Sequence, residues 1–255
     1  MVDIYDNDVC GCFPTGRHYP GIADKLAGAT SRIPGLSKLV KASERWREAK
    51  LAVIDFETTG LEPDNDRVLE AGVACYDNGS LARLKNWLIN PAIPVPPESR
   101  AVHQISDEQL AQAPFFSEVV AELTEVLRGR LAVAYNADFD RNFLLAELGR
   151  LGQDFNREAE STPAFSPDLI WIDPLVWVRE LHRDEKSNKL TEVCARMGIS
   201  VGQAHRAADD AEATGKVLFA LEPHLPATYG ELIRIQTRYA ARQELSLSSK
   251  RGRRG

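Results

Sequence analysis

The sequence has little of what marks an exported or membrane-bound protein. It contains only 4 cysteines in 255 residues, too few for the disulfide scaffold of a small secreted domain. No apolar run approaches the roughly 20 residues that a membrane-spanning helix needs. Its first residues also lack the basic region and apolar stretch of a secretory signal. We therefore expect a cytoplasmic protein that does not enter a membrane.

Charge constrains the function only weakly. Hydrophobic residues make up 44% of the chain and charged residues 27%, as in folded domains. The net charge is −6, but residues 1–50 and 241–255 are both basic, so the negative charge is concentrated between them. An acidic centre with basic ends fits a metal-dependent enzyme acting on nucleic acid. An ordinary charged surface with a solvated tail explains it at least as well.

The order of the predicted elements indicates an α/β domain. The apolar run at 51–57 is typical of a strand. The next segment alternates between two faces around Asn78-Gly79, which predicts an antiparallel hairpin. Further on, segments with helical spacing alternate with short apolar runs at 130–135 and 169–174. Three early strands followed by alternating helices and strands predict a mixed sheet with helices on its faces.

Two acidic residues lie near the end of the first predicted strand. Side chains alternate along a strand, so Asp55 and Glu57 leave the same face. Two adjacent acids on an apolar strand repel each other unless a cation lies between them. The alternative is that the strand ends at Asp55 and that both carboxylates are solvated.

Asp140 is a third candidate because it shares a helix face with Leu144 and Leu148. An acid on an inward face needs a partner, which a metal would provide. Alternatively, Asp140 stabilises the positive N-terminus of its helix. Asp138 points away from that face, and we interpret it as the N-cap.

Asp210 repeats this pattern on the last helix of the core, where Val217 and Leu218 follow on the same face. Its neighbour Asp209 lies on a more polar stripe. His205 precedes Asp210 at the start of that helix, where a neutral imidazole can accept a proton from water. A lone histidine there is more often a cap or a surface residue.

Three motifs in this order are far more specific than any one acid. The segments DFETTGL (55–61), YNADFDRNFL (135–144) and HRAADDA (205–211) resemble the DEDDh 3′→5′ exonuclease family, in the branch of the proofreading epsilon subunit of bacterial DNA polymerase III. The resemblance extends over 51–222. It implies an RNase H-like α/β fold with a mixed five-stranded sheet, in which three antiparallel strands precede the parallel ones, flanked by helices.

The flanking segments lie outside the resemblance. We predict that 1–50 is an N-terminal extension that begins as a loop and ends as a helix. We predict that 223–255 is a C-terminal helical segment with a basic flexible tail.

The resemblance implies that Asp55, Glu57, Asp140 and Asp210 hold two divalent metal ions, Mg²⁺ or Mn²⁺. Asp55 would bridge both ions, Glu57 and Asp210 would bind the first, and Asp140 would serve the second. Oxygen ligands suit such ions, and two of them can activate the attacking water and stabilise the leaving 3′-oxygen.

The remaining roles are also implied by the resemblance. His205 is similar to the general base of the family. The turn Thr58-Thr59-Gly60-Leu61 resembles the segment that contacts the terminal nucleotide, and Asn136 matches the asparagine that precedes the third acid. Tyr135 departs from the pattern, because many relatives have a histidine there, and this difference concerns substrate fit more than catalysis.

The expected activity is therefore a metal-dependent 3′→5′ exonuclease that cuts DNA from its 3′ end and releases nucleoside 5′-monophosphates, in proofreading or repair. An exoribonuclease is the alternative, because related families trim RNA with the same metal site. A non-catalytic module that binds nucleic acid or a polymerase is a third candidate, which the intact set of acids and His205 disfavours.

The expected partner is a nucleic acid with a free 3′ end, with DNA favoured over RNA. A DNA polymerase or a sliding clamp is a further candidate partner for replication or repair. The basic tail SKRGRRG can contact phosphates without sequence preference.

Overall fold

The computed structural model describes residues 36–152, 156–202 and 205–251. The loop predicted within 1–35 and the last residues of the basic tail, 252–255, lie outside the described residues. The described helices and strands are, in chain order, α1 (Leu36–Leu39), β1 (Leu51–Thr58), β2 (Val68–Asp77), β3 (Ser80–Leu88), α2 (Pro97–His103), α3 (Asp107–Gln112), α4 (Phe116–Leu127), β4 (Leu131–Val133), α5 (Ala137–Arg150), α6 (Asn156–Ala159), α7 (Pro174–Leu181), α8 (Leu190–Met197), α9 (Ala207–Leu221) and α10 (Tyr229–Arg251).

The strands form one mixed sheet in the order β3-β2-β1-β4. The pairs β1–β2 and β2–β3 are antiparallel, whereas β4 lies parallel to β1. Asn78 and Gly79 both have positive φ angles, 51° and 77°, in the two-residue turn of the hairpin, as the Asn-Gly signal predicts. The mixed α/β architecture expected from the order of elements is confirmed.

The described sheet has four strands, not the five that were predicted. The apolar run at 169–174 forms only an isolated parallel bridge between Ile172 and Val133. Ile172 bonds to β4 through both its N–H and its carbonyl, with Ala132 and Ala134 as partners. The ladder ends there because Pro174, the next residue that would face β4, has no N–H to donate and begins α7.

Helices cover both faces of the central strands. Every residue of β1, and all but the last of β2, is buried, which an alternating strand achieves only when both faces are packed. Helices α4, α5 and α9 pack against strands β1 and β2. The edge strand β3 is largely exposed. Acidic residues on β1 therefore lie inside the protein.

The described parts of the two flanking segments pack together against the core. Trp46 is buried, stacks near Phe219, and donates a hydrogen bond of 2.8 Å to the carbonyl of Pro226. Arg45 forms a backbone bridge with Thr228. The described end of the N-terminal extension contains the single turn α1 and a short 3₁₀ turn, Trp46–Glu48.

No helix among the described residues is both long and apolar enough to cross a membrane.

Gly72 brings helix α9 close to the strand that carries the site. A Cβ atom at Gly72 would lie 2.1 Å from the carbonyl carbon of Ala207, at the start of α9. Gly72 is also the residue of β2 that pairs with Asp55. Only glycine therefore allows the helix to begin directly against the paired strands.

We predict that Gly72→Ala lowers the free energy of unfolding by about 1–3 kcal/mol or more, because the new methyl group meets backbone that cannot move aside cheaply. Thermal or urea unfolding measures the change. The matched control is Gly149→Ala on α5, where an added Cβ meets nothing within 4 Å and better helix propensity raises stability by up to about 1 kcal/mol. Equal stabilities for the two variants would contradict the close approach of α9.

Candidate functional site

Strand β1 carries the first two acidic residues of the site. Asp55 pairs with Gly72 and Glu57 with Glu70 on β2, and the register shifts directly after Glu57. Only 4% of Asp55 and 3% of Glu57 is exposed. The strand continues to Thr58, so the alternative in which it ends at Asp55 with two solvated acids is wrong.

Helix α5 brings Asp140 to the same strand. Asp140 is buried in the first turn of the helix, and its Oδ1 accepts a hydrogen bond of 3.0 Å from the backbone N–H of Phe56. Because Phe56 stands between Asp55 and Glu57, this bond holds the third acid beside the first two.

Asp138 does not cap α5, contrary to our interpretation of the sequence. It lies within the first turn, its side chain is exposed, and it pairs with Arg141 at 3.1 Å. The position before the helix belongs to Asn136, which has a left-handed backbone with φ 69° and makes no side-chain cap.

Asp173 caps α5 from another part of the chain. Its two carboxylate oxygens accept hydrogen bonds of 3.1 Å from the backbone N–H groups of Asn136 and Ala137, and Oδ1 also accepts one of 2.9 Å from Leu175 in α7. Burial raises the pKa of Asp173 to about 6, although these three donors lower it. Sequence reasoning missed Asp173, for which the available signal was an aspartate followed by proline at the start of a helix.

Helix α9 adds Asp210 and the histidine that precedes it. Asp210 is buried, and its Oδ2 accepts a hydrogen bond of 3.0 Å from the backbone N–H of His205. His205 has a φ of 63°, which is uncommon for a residue other than glycine. One possible ligand atom from each of Glu57, His205 and Asp210 lies within 4.8 Å of the other two. Strand β1 and helix α9 thus bring two carboxylates and an imidazole to one point.

Several oxygens at this point lack hydrogen-bond donors. Asp55 Oδ2, Glu57 Oε1 and Asp210 Oδ1 are buried and have no hydrogen-bond partner within the part of the chain that the structure describes. Burial, followed by the neighbouring carboxylates, raises the pKa of Asp55 and of Glu57 well above the usual range. Burial also raises the pKa of Asp140, and raises that of Asp210 to about 7.

This set of donors fits a divalent metal ion. Buried carboxylates that face one another are stable when protonated or when a cation lies between them. Mg²⁺ and Mn²⁺ prefer carboxylate oxygens as ligands. The unpartnered oxygens on two different elements are therefore suited to bind such an ion.

The turn after β1 is held by its own side chains. The hydroxyl of Thr58 donates to the carbonyl of Gly60 at 2.6 Å, and the hydroxyl of Thr59 donates to Asp66 at 2.9 Å. A Cβ atom at Gly60 would lie 2.4 Å from the Asp66 carboxylate, so glycine allows the turn to close on Asp66. Leu61, the last residue of the turn, is 39% exposed. The threonine side chains are thus occupied within the turn, while Leu61 faces solvent.

Tyr135, which departs from the family pattern, is turned into the protein. It is buried, and its hydroxyl donates a hydrogen bond to the carbonyl of Asn188. The residue therefore joins the end of β4 to the segment that precedes α8. Its neighbour Asn136 is exposed.

Sequence reasoning also missed a fifth buried carboxylate. Glu70 lies opposite Glu57 in the β1–β2 ladder and is fully buried. It pairs with Arg206, the residue directly after His205, at 2.6 Å. In the sequence, Glu70 looks like any polar residue on an alternating strand, and only the strand register brings it to the site.

Comparison with known proteins places this geometry in context. Residues 52–218 match the exonuclease family RNase_T. A curated relative, the 3′-5′ exonuclease DinG of Staphylococcus haemolyticus, is 30% identical over 167 residues. That match covers 66% of this chain but 17% of the relative, so the chain spans only a small part of the length of such proteins.

Solved structures show the same fold. Exonuclease X in complex with 5′ overhanging duplex DNA is 21% identical with a TM-score of 0.54, covering 73% of this chain and 99% of that one. The nuclease domain of 3′hExo, a DEDDh family member bound to rAMP, is 15% identical with a TM-score of 0.56, covering 69% of this chain and 92% of that one. At these identities the similarity concerns the fold.

We predict that the metal-free protein loses stability as the pH rises from about 5 to 8. A carboxyl group whose pKa is higher in the folded than in the unfolded chain stabilises the fold at low pH, and this contribution is lost as the pH rises through the folded value. For Asp210 that value is about 7, and Asp173, at about 6, acts in the same direction. Thermal unfolding in the presence of a chelator measures the effect.

Added Mg²⁺ or Mn²⁺ should raise the melting temperature more at pH 8 than at pH 5.5, because the ion binds ionised carboxylates. In Asp210→Asn both the pH dependence and the metal effect should shrink, whereas Asp138→Asn, on the exposed side of α5, should behave as the wild type. A melting temperature that does not change with pH in the chelated protein would contradict this account.

Proposed function

Because the chain belongs to the exonuclease family RNase_T, we propose that it is a metal-dependent 3′→5′ exonuclease. It hydrolyses phosphodiester bonds from the 3′ end of a nucleic acid and releases nucleoside 5′-monophosphates. The observation that carries the proposal is the convergence of buried carboxylates with unpartnered oxygens beside His205. A module that only binds nucleic acid would have no use for this arrangement, which weakens the fold in the absence of a cation.

Four residues would hold the metal: Asp55, Glu57, Asp140 and Asp210. Two divalent ions, Mg²⁺ or Mn²⁺, are proposed, as in the family that the motifs resemble. When bound, such ions activate a water molecule and stabilise the leaving 3′-oxygen. The protein contributes their oxygen ligands from three elements, β1, α5 and α9. Hydrogen bonds join Asp140 of α5 to β1 and the start of α9 to Glu70 on β2.

His205 is proposed as the general base. Its ring lies within reach of the point where Glu57 and Asp210 meet, so an imidazole nitrogen can take the proton of a water molecule held there. The bond from its backbone N–H to Asp210 links the position of the base to that of a metal ligand.

The turn Thr58-Thr59-Gly60-Leu61 and Asn136 are proposed to contact the terminal nucleotide. The turn follows Glu57 directly, and its internal hydrogen bonds keep it in one conformation before substrate arrives. Exposed Leu61 offers an apolar surface for a base. Asn136, exposed directly before α5, lies four residues before Asp140.

DNA is the proposed substrate, and RNA is the alternative. Among the similar structures, one holds duplex DNA with a 5′ overhang and another holds rAMP, so the fold is found with both kinds of ligand. A role in proofreading or repair, with a polymerase or a sliding clamp as partner, stays a prediction.

We predict that the purified protein with Mg²⁺ or Mn²⁺ shortens 5′-labelled DNA oligonucleotides one nucleotide at a time, while a 3′-label is released at once as a mononucleotide. EDTA should abolish the reaction. Matched RNA oligonucleotides decide between the two substrates. Efficient cutting of closed circular single-stranded DNA, or full activity in excess EDTA, would refute the proposal.

Substitutions of the two acids in the first turn of α5, Asp138 and Asp140, should have very different effects on the reaction rate. Asp140→Asn removes a proposed ligand. It should lower the rate by more than the roughly 10–100-fold that is lost when a residue that only supports a metal ligand is changed. Asp138→Asn changes an exposed side chain paired with Arg141 and should leave the rate within about twofold. The initial rates of mononucleotide release compare them. Equal losses in both variants would show that Asp140 has no special role.

A further inference from the structure

Glu70 differs from Asp55, Glu57 and Asp210 because both of its oxygens have partners. Its Oε1 accepts hydrogen bonds from Arg206, at 2.6 Å from Nη2 and 3.1 Å from Nε, and from the side chain of Asn86 at 2.7 Å. Its Oε2 accepts hydrogen bonds of 3.2 Å from Nε of Arg206 and of 3.1 Å from the backbone N–H of Ala207. The carboxylate is therefore held in one orientation.

These bonds tie the start of helix α9 to strand β2. Arg206 is the N-cap residue, and its side chain makes no capping bond to the helix. The first N–H of the helix, that of Ala207, is directed instead to Glu70 on the sheet. Gly72, two residues further along β2, lets the backbone of the helix lie directly against the strand. Two consecutive residues of the helix start are thus fixed by one carboxylate.

His205 lies immediately before this attachment. Its left-handed backbone, with φ 63°, is a conformation that persists only where the surroundings enforce it. On one side its N–H is bonded to Asp210, and on the other the next residue is bonded to Glu70. The two attachments together fix the backbone of His205, and with it the direction in which its side chain leaves the chain.

We propose that Glu70 and Arg206 form a positioning pair that holds His205 in the orientation needed to take a proton from the attacking water. The inference rests on the proposed function, since it assigns the pair to the reaction of that site. Neither residue touches the substrate. They act through the backbone at the start of α9.

The charge of Arg206 makes Glu70 compatible with its surroundings. A fifth uncompensated carboxylate opposite Glu57 would add to the repulsion among the acids of the site. The guanidinium neutralises Glu70 through hydrogen bonds from two of its nitrogens, Nε and Nη2, in a fixed planar geometry. Lysine at position 206 would keep the positive charge but lose that geometry. The variant Arg206→Lys therefore tests the effect on the position of His205 separately from the effect of charge.

The test is a double-mutant cycle on the full chain. Arg206→Lys is made in the wild type and in His205→Ala, and kcat is measured at saturating oligonucleotide with Mn²⁺. If the pair acts through His205, Arg206→Lys lowers kcat by about 10–100-fold in the wild type, as expected for a small displacement of a catalytic group. In His205→Ala, which has already lost about 10²–10⁴-fold, it changes kcat less than about twofold.

Arg67→Lys is the matched control. Arg67 makes the same two-point contact with another buried acid, Glu147, at 2.8 and 3.0 Å, and Glu147 accepts no hydrogen bond from His205 or its neighbours within the described residues. Whatever the factor by which Arg67→Lys lowers kcat, it should be the same in the wild type and in His205→Ala. An equal loss from Arg206→Lys in both backgrounds, or no loss in either, would overturn the proposal. Glu70→Gln, which keeps the volume of the side chain, is put through the same cycle and must give the same pattern.

Two further measurements do not depend on turnover. The affinity for Mn²⁺, measured by titration calorimetry, should stay within about threefold in Arg206→Lys, because the proposed ligands remain. In the metal-free protein, amide hydrogen exchange should accelerate in the segment 205–208 and not in the strands. Unchanged exchange there would overturn the proposal. A wild-type protein without nuclease activity would instead refute the proposed function, and the exchange data would still report on the attachment of α9.

Discussion

The burial of five carboxylates where two helices meet the central strands of the sheet is the constraint on which the rest of the structure depends. Like charges that are removed from water repel strongly, and burial together with the neighbouring carboxylates raises the pKa of Asp55 and of Glu57. The surrounding structure must hold these groups in place against that repulsion. The central position of β1, the bond from Phe56 to Asp140 and the attachment of α9 to Glu70 do so. The acids concerned are Asp55, Glu57, Glu70, Asp140 and Asp210.

Two helices, α5 and α9, begin at the site. In neither helix does an acidic residue of the same helix accept the hydrogen bonds of the first N–H groups. An aspartate in the first turn of a helix commonly stabilises the N-terminus of that helix. Here the first N–H groups of α5 are satisfied by Asp173 and that of α9 by Glu70, both from other elements. Asp140 and Asp210 are consequently free to direct oxygens towards β1. The capping of helices by remote carboxylates and the convergence of the site acids are thus two results of one arrangement.

The sequence was most informative where the signal was local. The Asn-Gly turn, the α/β architecture and the exonuclease family are confirmed, because each depends on a short pattern or on motifs in a fixed order. The prediction of a fifth strand was wrong, since Pro174 cannot donate the next hydrogen bond of the ladder and begins α7. The interpretation of Asp138 as the N-cap was wrong because a carboxylate from far along the chain, that of Asp173, caps α5. The roles of the individual site residues, and the resemblance to the epsilon subunit, stay predictions.

The buried acids fall into two groups according to their hydrogen-bond partners. Residue type and burial alone do not distinguish these groups. Glu70 and Glu147 are as buried as the site acids, yet arginines and backbone N–H groups satisfy both oxygens of each. Asp55, Glu57 and Asp210 each keep one buried oxygen that no described residue satisfies. A chain that only needed these acids for its fold would gain stability by supplying donors, as it does at Glu147. Because the unsatisfied oxygens lie on two elements that meet at His205, their lack of protein donors is the strongest physical indication that a ligand from outside the chain completes the site.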